Sequence, residues 1–272
     1  MTMSPDLISA IETRSSFAAN AKRWILPVLP FAFLILIWAS IVAIQDPAVG
    51  VLPSPLRVLR APFSNGDQYI TNVEASLKRL AWGFTVAAIT GVIVGIFAGL
   101  SKPLAKFLGP LTAFMNSISG IAWIPLAVAW FGVGTGMVVF IIWNAAFFLV
   151  FANTMLGVRL VPKVLGSGLR TLGASRLHII VHATIPGSMP YIMSGLRSGL
   201  GFAWRAVIAA ELVGASSGLG FWIFEQKEFS RMDNIMAGAL TIGVIGMAMD
   251  RFLLAPLESR TIERWGLVGT SS

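Results

Sequence analysis

Cysteine is absent from the chain, and histidine occurs only twice, at His178 and His182. Without thiols there is no disulfide framework, no cysteine-ligated metal and no thiol nucleophile. Two histidines are too few for a histidine-built metal cage. Charge is scarce as well: 12% of the 272 residues are Asp, Glu, Lys or Arg, about half the roughly 25% of a soluble domain. So few charges cannot wet the surface of a globule, and most of that surface must face lipid. No G-x-x-x-x-G-K-[ST] occurs, which leaves the chain without a phosphate-cradling nucleotide loop.

Apolar residues make up 56% of the chain. They gather in six runs near the ~20 residues that cross a hydrocarbon core as a helix: 24–44, 75–100, 107–130, 137–158, 189–213 and 235–254. The expected fold is an all-α membrane protein of about six transmembrane helices. A segment of residues 1–23 precedes a membrane domain of 24–258, and a tail of 259–272 follows. The first run comes after Arg14, Lys22 and Arg23 and lacks a small-residue cleavage site, so it is read as an uncleaved helix and not a signal peptide. The stretch beyond it, with Pro47, Pro53, Pro55 and Pro62, is too broken to span.

Twenty Lys and Arg against twelve Asp and Glu give a net charge of +8, a balance that could suggest nucleic acid. Here the cations sit in short segments between apolar runs, so topology accounts for them and no nucleic-acid partner is expected. Segments 1–23, 101–106, 159–188 and 251–272 hold 12 of the 20, whereas the two long loops on the opposite side hold only Arg57, Arg60, Lys227 and Arg231. The positive-inside bias then puts both termini in the cytoplasm.

Gly91, Gly95 and Gly99 recur every four residues in the second run, and Gly195 and Gly199 repeat the spacing in the fifth. Such stripes let helix backbones approach closely; the partner helix lies in this chain or in a second copy. Gly120 and Pro125 interrupt the third run, as in helices that are kinked or that line a transport path. Asn116, Ser117, Ser119 and Trp123 surround that break, and Asn144 lies in the fourth run. Arg197, Arg205 and Glu211 place charge in the fifth run, where each costs at least about 2.5–3.5 kcal/mol to insert and must face protein or water. Arg205 and Glu211 are six residues apart, about 240° around a helix, and so do not pair. Arg205 reads as half of an ion pair with a neighbouring helix or as a cation on a path that would draw anions. Glu211, close to the outer mouth, reads as a gate or contact group or as simply exposed. The candidate path is Asn116, Ser119, Trp123, Asn144, Arg205 and Glu211.

Residues 160–190 read LVPKVLGSGLRTLGASRLHIIVHATIPGSMP. Pro162 suits a first helical turn, residues 163–172 make a short helix, and Gly173 stops it. Ser175 can cap a second helix that ends near Pro186. The segment is basic; it is either a connector held by lipid headgroups or a docking surface for a soluble partner. His178 and His182 share a helix face, but no third ligand lies nearby, and no metal site is expected.

This segment resembles the cytoplasmic loop of bacterial ABC importer permeases, whose pattern is E-A-A, three residues, Gly, nine residues, Ile-x-Leu-Pro. With Gly173 on the motif glycine, Ala183 and Ile185 take the Ile and Leu positions and Pro186 the proline; Ser167, Gly168 and Leu169 stand at E-A-A, so the motif carboxylate is missing. LPSPLRVLRA (52–61), SLKRLAWGF (76–84), IPLAVAWFGVG (124–134), RTLGASR (170–176), AAELVGASSGLG (209–220) and MDRFLLAPLESR (249–260) resemble, in order, the nitrate/sulfonate/taurine-type branch. The resemblance implies a type I importer permease (MetI-like) in the inner membrane, paired with a second copy, two ATPase subunits and a periplasmic substrate-binding protein. It assigns ATPase docking to Lys163, Gly168, Arg170, Thr171, Leu172, Gly173, Ala174, Ser175, Arg176 and Pro186. ATP and Mg belong to the ATPase; this chain is expected to bind no cofactor and to be no enzyme. The branch serves nitrate, bicarbonate, alkanesulfonates, taurine, aromatic acids and thiamine-precursor pyrimidines. Residues 214–233 read as a short helix at the outer interface, with Phe221, Trp222 and Phe224 in the headgroup zone, and by resemblance as part of the binding protein's landing platform. The alternatives are a self-sufficient ion-coupled secondary transporter, whose folds usually show repeats not evident here, and an intramembrane enzyme, which needs a convergent nucleophile, base or metal set.

Overall fold

The computed structural model describes residues 29–44, 52–64, 66–254 and 256, and the regular elements among them are all helical. The proposed segment 1–23 and tail 259–272 lie outside the described residues. The chain divides into two units, Met1–Ser64 and Asn65–Ser272.

In the first unit α1 (Leu29–Ile44) is the described part of the first apolar run, with most side chains exposed. The Trp38 indole donates to the Pro53 carbonyl at 3.1 Å, tying α1 to the proline-rich stretch. That stretch, read as too broken to span, forms the short α2 (Pro55–Ser64). Pro55 fits a first turn whose N–H groups lack partners anyway, and Pro62 lies near enough to the end to remove only one helical bond.

In the second unit three helices are long and apolar enough to cross a bilayer. These are α3 (Gly66–Leu100), α6 (Thr135–Leu160) and α11 (Met232–Ala248), the last continued by a π-turn at Met249–Leu254. Two helix pairs reach that length and apolarity only together, each bent at a short break, which makes up to five crossings if each pair is one span. One joins α4 (Lys102–Ser117) to α5 (Ile124–Phe131) through a 93° break; the other joins α9 (Ile185–Gly214) to α10 (Leu219–Glu228) through 42°. The six expected runs thus appear as three helices of spanning length, two bent pairs and the shorter α1, so the count of about six is only roughly met. The sharp break has a local cause. Ile118 and Ser119 leave the helical conformation, a 3-10 turn covers Gly120–Trp123, and Pro125 enters in the first turn of α5.

Helix α6 lies between α3 and α9, and glycine sets both contacts. Gly91, Gly95 and Gly99 of α3 face Val150, Thr154 and Val158 of α6; numbers rise together, so the helices run parallel. A Cβ built on Gly95 or Gly99 would stand 2.6 Å from Thr154 or Val158, far inside contact distance. Gly195 and Gly199 of α9 face Asn153 and Val150, and here numbers run in opposite senses. Both glycine stripes therefore find their partner within this chain, on the two sides of α6.

Candidate functional site

Two short helices form the segment that carries the docking residues: α7 (Lys163–Thr171) and α8 (Arg176–Ile179). Gly173 adopts a left-handed backbone (φ 82°). Its N–H donates to the Arg170 carbonyl and that of Ala174 to the Leu169 carbonyl, both at 3.0 Å, the pair of bonds that closes a helix C-terminus around such a residue. Ser175 Oγ accepts from the His178 N–H at 3.2 Å, capping α8 as the sequence suggested. Lys163, Gly168, Arg170, Thr171, Leu172, Gly173, Ser175 and Arg176 are exposed, while Ala174 and Pro186 are half-buried. Ser167 donates back to the Lys163 carbonyl at 3.1 Å and puts a hydroxyl where the motif has a carboxylate.

One expectation for this segment fails. No break occurs near Pro186, because α8 passes through a π-turn (Ile180–Thr184) directly into α9. The extra residue in that turn lets the Ile185 N–H reach the Ile180 carbonyl. This wider turn accommodates a proline whose ring would clash with the carbonyl four residues back in a regular helix. His178 and His182 stack with ring centroids 4.0 Å apart, and His182 Nδ1 lies 3.1 Å from the His178 carbonyl.

At the break between α4 and α5 a cavity of about 430 Å³ opens against α6 and α9. Four of the six predicted path residues line it: Asn116, Ser119, Asn144 and Arg205. Asn144 is 8% exposed, and its amide has no hydrogen-bond partner among the described residues. The Arg205 guanidinium lies 5.7 Å from the Phe202 ring centroid, with no carboxylate in ion-pair range among the described residues. The other two candidates are elsewhere. Trp123 is half-buried against the core, its indole N–H unpartnered among the described residues, and does not line the cavity; the 3-10 turn carries it away from that wall. Glu211 does not line it either.

Residues 91–254 match the family of binding-protein-dependent transport system inner membrane components. The chain belongs to this family. The permease is similar to a putative ABC transporter permease of Methanocaldococcus jannaschii, 36% identical over 88% of this chain and 91% of the relative. It is 31% identical to a bicarbonate transport system permease of Synechococcus elongatus, over 91% of this chain and 96% of that one. A taurine transport system permease of Escherichia coli is 32% identical over 86% and 88%. The fold also matches that of a solved amino acid ABC transporter, with a TM-score of 0.60 at 15% identity, over 73% of this chain and 96% of that one. The permease therefore has the MetI-like, all-α fold of ABC importer subunits, and its relatives are transport components of the membrane.

Within the permease Glu211 is 1% exposed, which corrects its reading as a group near solvent. It accepts hydrogen bonds from Arg79 Nη1 (2.8 Å), Ser76 Oγ (2.7 Å) and the Gly220 N–H (3.1 Å). Arg79 also donates to the carbonyl and hydroxyl of Ser217, at 2.5 and 2.7 Å, and Asn72 accepts from the Gly218 N–H at 2.7 Å. Three residues one turn or so apart on α3 thus hold the link between α9 and α10. Sequence reading missed Arg79 as the partner; its position inside the second apolar run, where an unpaired charge is costly, was the available signal. The same link spells Gly214-Ala215-Ser216-Ser217-Gly218, a G-x-S-x-G, but it joins two helices, whereas a serine nucleophile elbow needs a strand-to-helix turn. Trp222 is a second correction. It is buried edge-on against Tyr69 (ring centroids 5.0 Å), while Phe224 is exposed and Phe221 half-buried.

Proposed function

We propose that the permease forms the translocation path of an ATP-driven importer in the inner membrane, with both termini and the 159–188 loop in the cytoplasm. Two copies of the chain enclose the path, two ATPase subunits dock on the loops around Gly173, and a periplasmic binding protein delivers the solute. The solute is small and anionic, of the nitrate, sulfonate, taurine, bicarbonate or aromatic-acid kind, in keeping with relatives named for bicarbonate and taurine transport. Asn116, Ser119, Asn144 and Arg205 line its route. ATP and Mg are held by the ATPase.

The observation that carries this reading is continuity. The capped docking segment runs without a break from Arg176 to Gly214, so the helix that begins at the loop also bears Arg205. A displacement of the loop moves the cavity wall, since a helix transmits rigid-body motion over its length. Closure of the ATPase pair on ATP would shift the loops and open the path outward, and hydrolysis would reset it.

The test is recovery of partners from mild detergent with the tagged chain and with Gly173→Arg. Stoichiometric ATPase that the variant loses supports the reading. A chain recovered alone, or ATPase held equally by the variant, favours a self-sufficient ion-coupled transporter.

A further inference from the structure

The three charged side chains of α9 have different surroundings. Arg197 pairs with Asp250 at 3.0 Å and Glu211 with Arg79 at 2.8 Å, whereas Arg205 faces the cavity without a carboxylate among the described residues. The same cavity is lined by Asn144 of α6, whose side-chain amide has no hydrogen-bond partner among the described residues and so has two N–H donors to offer. A planar guanidinium takes two oxygens of an oxyanion at once, and the amide can supply further donors. These two groups, one cationic and one neutral, suit a head with a single negative charge. A doubly charged head would leave its second charge without a counter-charge, because Arg205 is the one charged residue of the lining among the described residues.

The rest of the cavity is of a different kind. Its wall is mainly apolar, with Phe148, Leu149 and Phe202 prominent. The volume of about 430 Å³ falls in the range of small-molecule sites, about 300–1,000 Å³. An inorganic ion such as nitrate would occupy the polar end and leave water against the apolar wall. A short hydrocarbon tail would displace that water, and burial of its methylenes against the apolar wall favours binding.

We infer that each permease chain holds its own binding site for a singly charged organic oxyanion with a small apolar tail, gripped at Arg205 and Asn144; this rests on reading the cavity as the transport path. The permease then filters solutes by head charge and tail, in addition to whatever the binding protein selects.

The experiment is calorimetric titration of the full chain in lipid nanodiscs with butanesulfonate, nitrate, sulfate and butylammonium, against empty nanodiscs. Butanesulfonate should bind at least tenfold more tightly than nitrate or sulfate, and butylammonium should give no protein-specific heat. Arg205→Gln should weaken butanesulfonate at least tenfold, Asn144→Leu severalfold, and Arg205→Lys less than Arg205→Gln, with unchanged thermal unfolding of each Arg205 variant. Nitrate or sulfate binding as tightly as butanesulfonate, no butanesulfonate binding, or wild-type affinity in Arg205→Gln would each overturn the inference. Loss of ATPase recovery in Gly173→Arg together with any of those results leaves the importer reading standing. Butanesulfonate binding by a chain that recovers no ATPase retains the site and removes the importer.

Discussion

Arg79 of α3 and Glu211 of α9 form an ion pair 2.8 Å apart, with both side chains less than a tenth exposed. Each is saturated by further bonds to Ser76, Ser217 and Gly220, so the pair fixes α3, α9 and the start of α10 to one another. A buried pair adds little net energy when whole but is costly to halve.

Arg79→Met should therefore destabilise the permease by about 3–5 kcal/mol, the usual penalty for stranding one buried charge. Glu211→Gln should cost less, since the amide keeps part of the hydrogen bonding. The double variant Arg79→Met/Glu211→Met should cost less than the sum of its two single changes. Denaturation in detergent followed by tryptophan fluorescence measures all of these; additive losses would show that the two groups are not coupled.

The glycine stripe makes a graded prediction. A Cβ on Gly95 or Gly99 would stand 2.6 Å from α6, whereas Gly109 and Gly201 have nothing within 4 Å. Gly95→Ala and Gly99→Ala should each cost about 1–3 kcal/mol by overpacking, and Gly201→Ala should be neutral or slightly stabilising. The same unfolding assay decides it, and equal effects at all positions would contradict parallel close packing of α3 on α6.

At Gly173 the backbone, not space, is limiting: φ is 82° and nothing lies within 4 Å. Gly173→Val should open the end of α7 and speed tryptic cleavage at Arg170 and Arg176. Gly173→Asn should stay close to wild type, because asparagine tolerates the left-handed region. Gly168→Ala, with ordinary φ and no neighbour, serves as the control. Cleavage rates that do not separate valine from asparagine would sink the claim.

The absence of cysteine makes the field of Arg205 measurable. A single Ser119→Cys, exposed at the cavity, should react faster with an anionic methanethiosulfonate than with a cationic one of similar size. Adding Arg205→Gln should abolish or reverse that preference, while Ala146→Cys, fully buried, should react with neither. A preference that survives Arg205→Gln would mean that another charge sets the potential.

By itself the sequence determined which segments are apolar enough to enter lipid, where α4 breaks from α5, how α7 ends at Gly173 and α8 starts at Ser175. These depend on composition, on the missing N–H of proline and on the φ that glycine allows, all of which act within a few residues. It also placed Asn116, Ser119, Asn144 and Arg205 on one list, because polar groups in apolar runs are few. Only the tertiary structure decided that Arg79 answers Glu211 across 132 positions of chain, that the glycines of α3 and α9 both close on α6, and that Trp222 and Trp123 turn into the protein. It also decided that the helix runs on past Pro186, through a π-turn that makes room for the proline ring. Pairing between helices depends on which faces packing brings together, and no local periodicity records the partner on another helix.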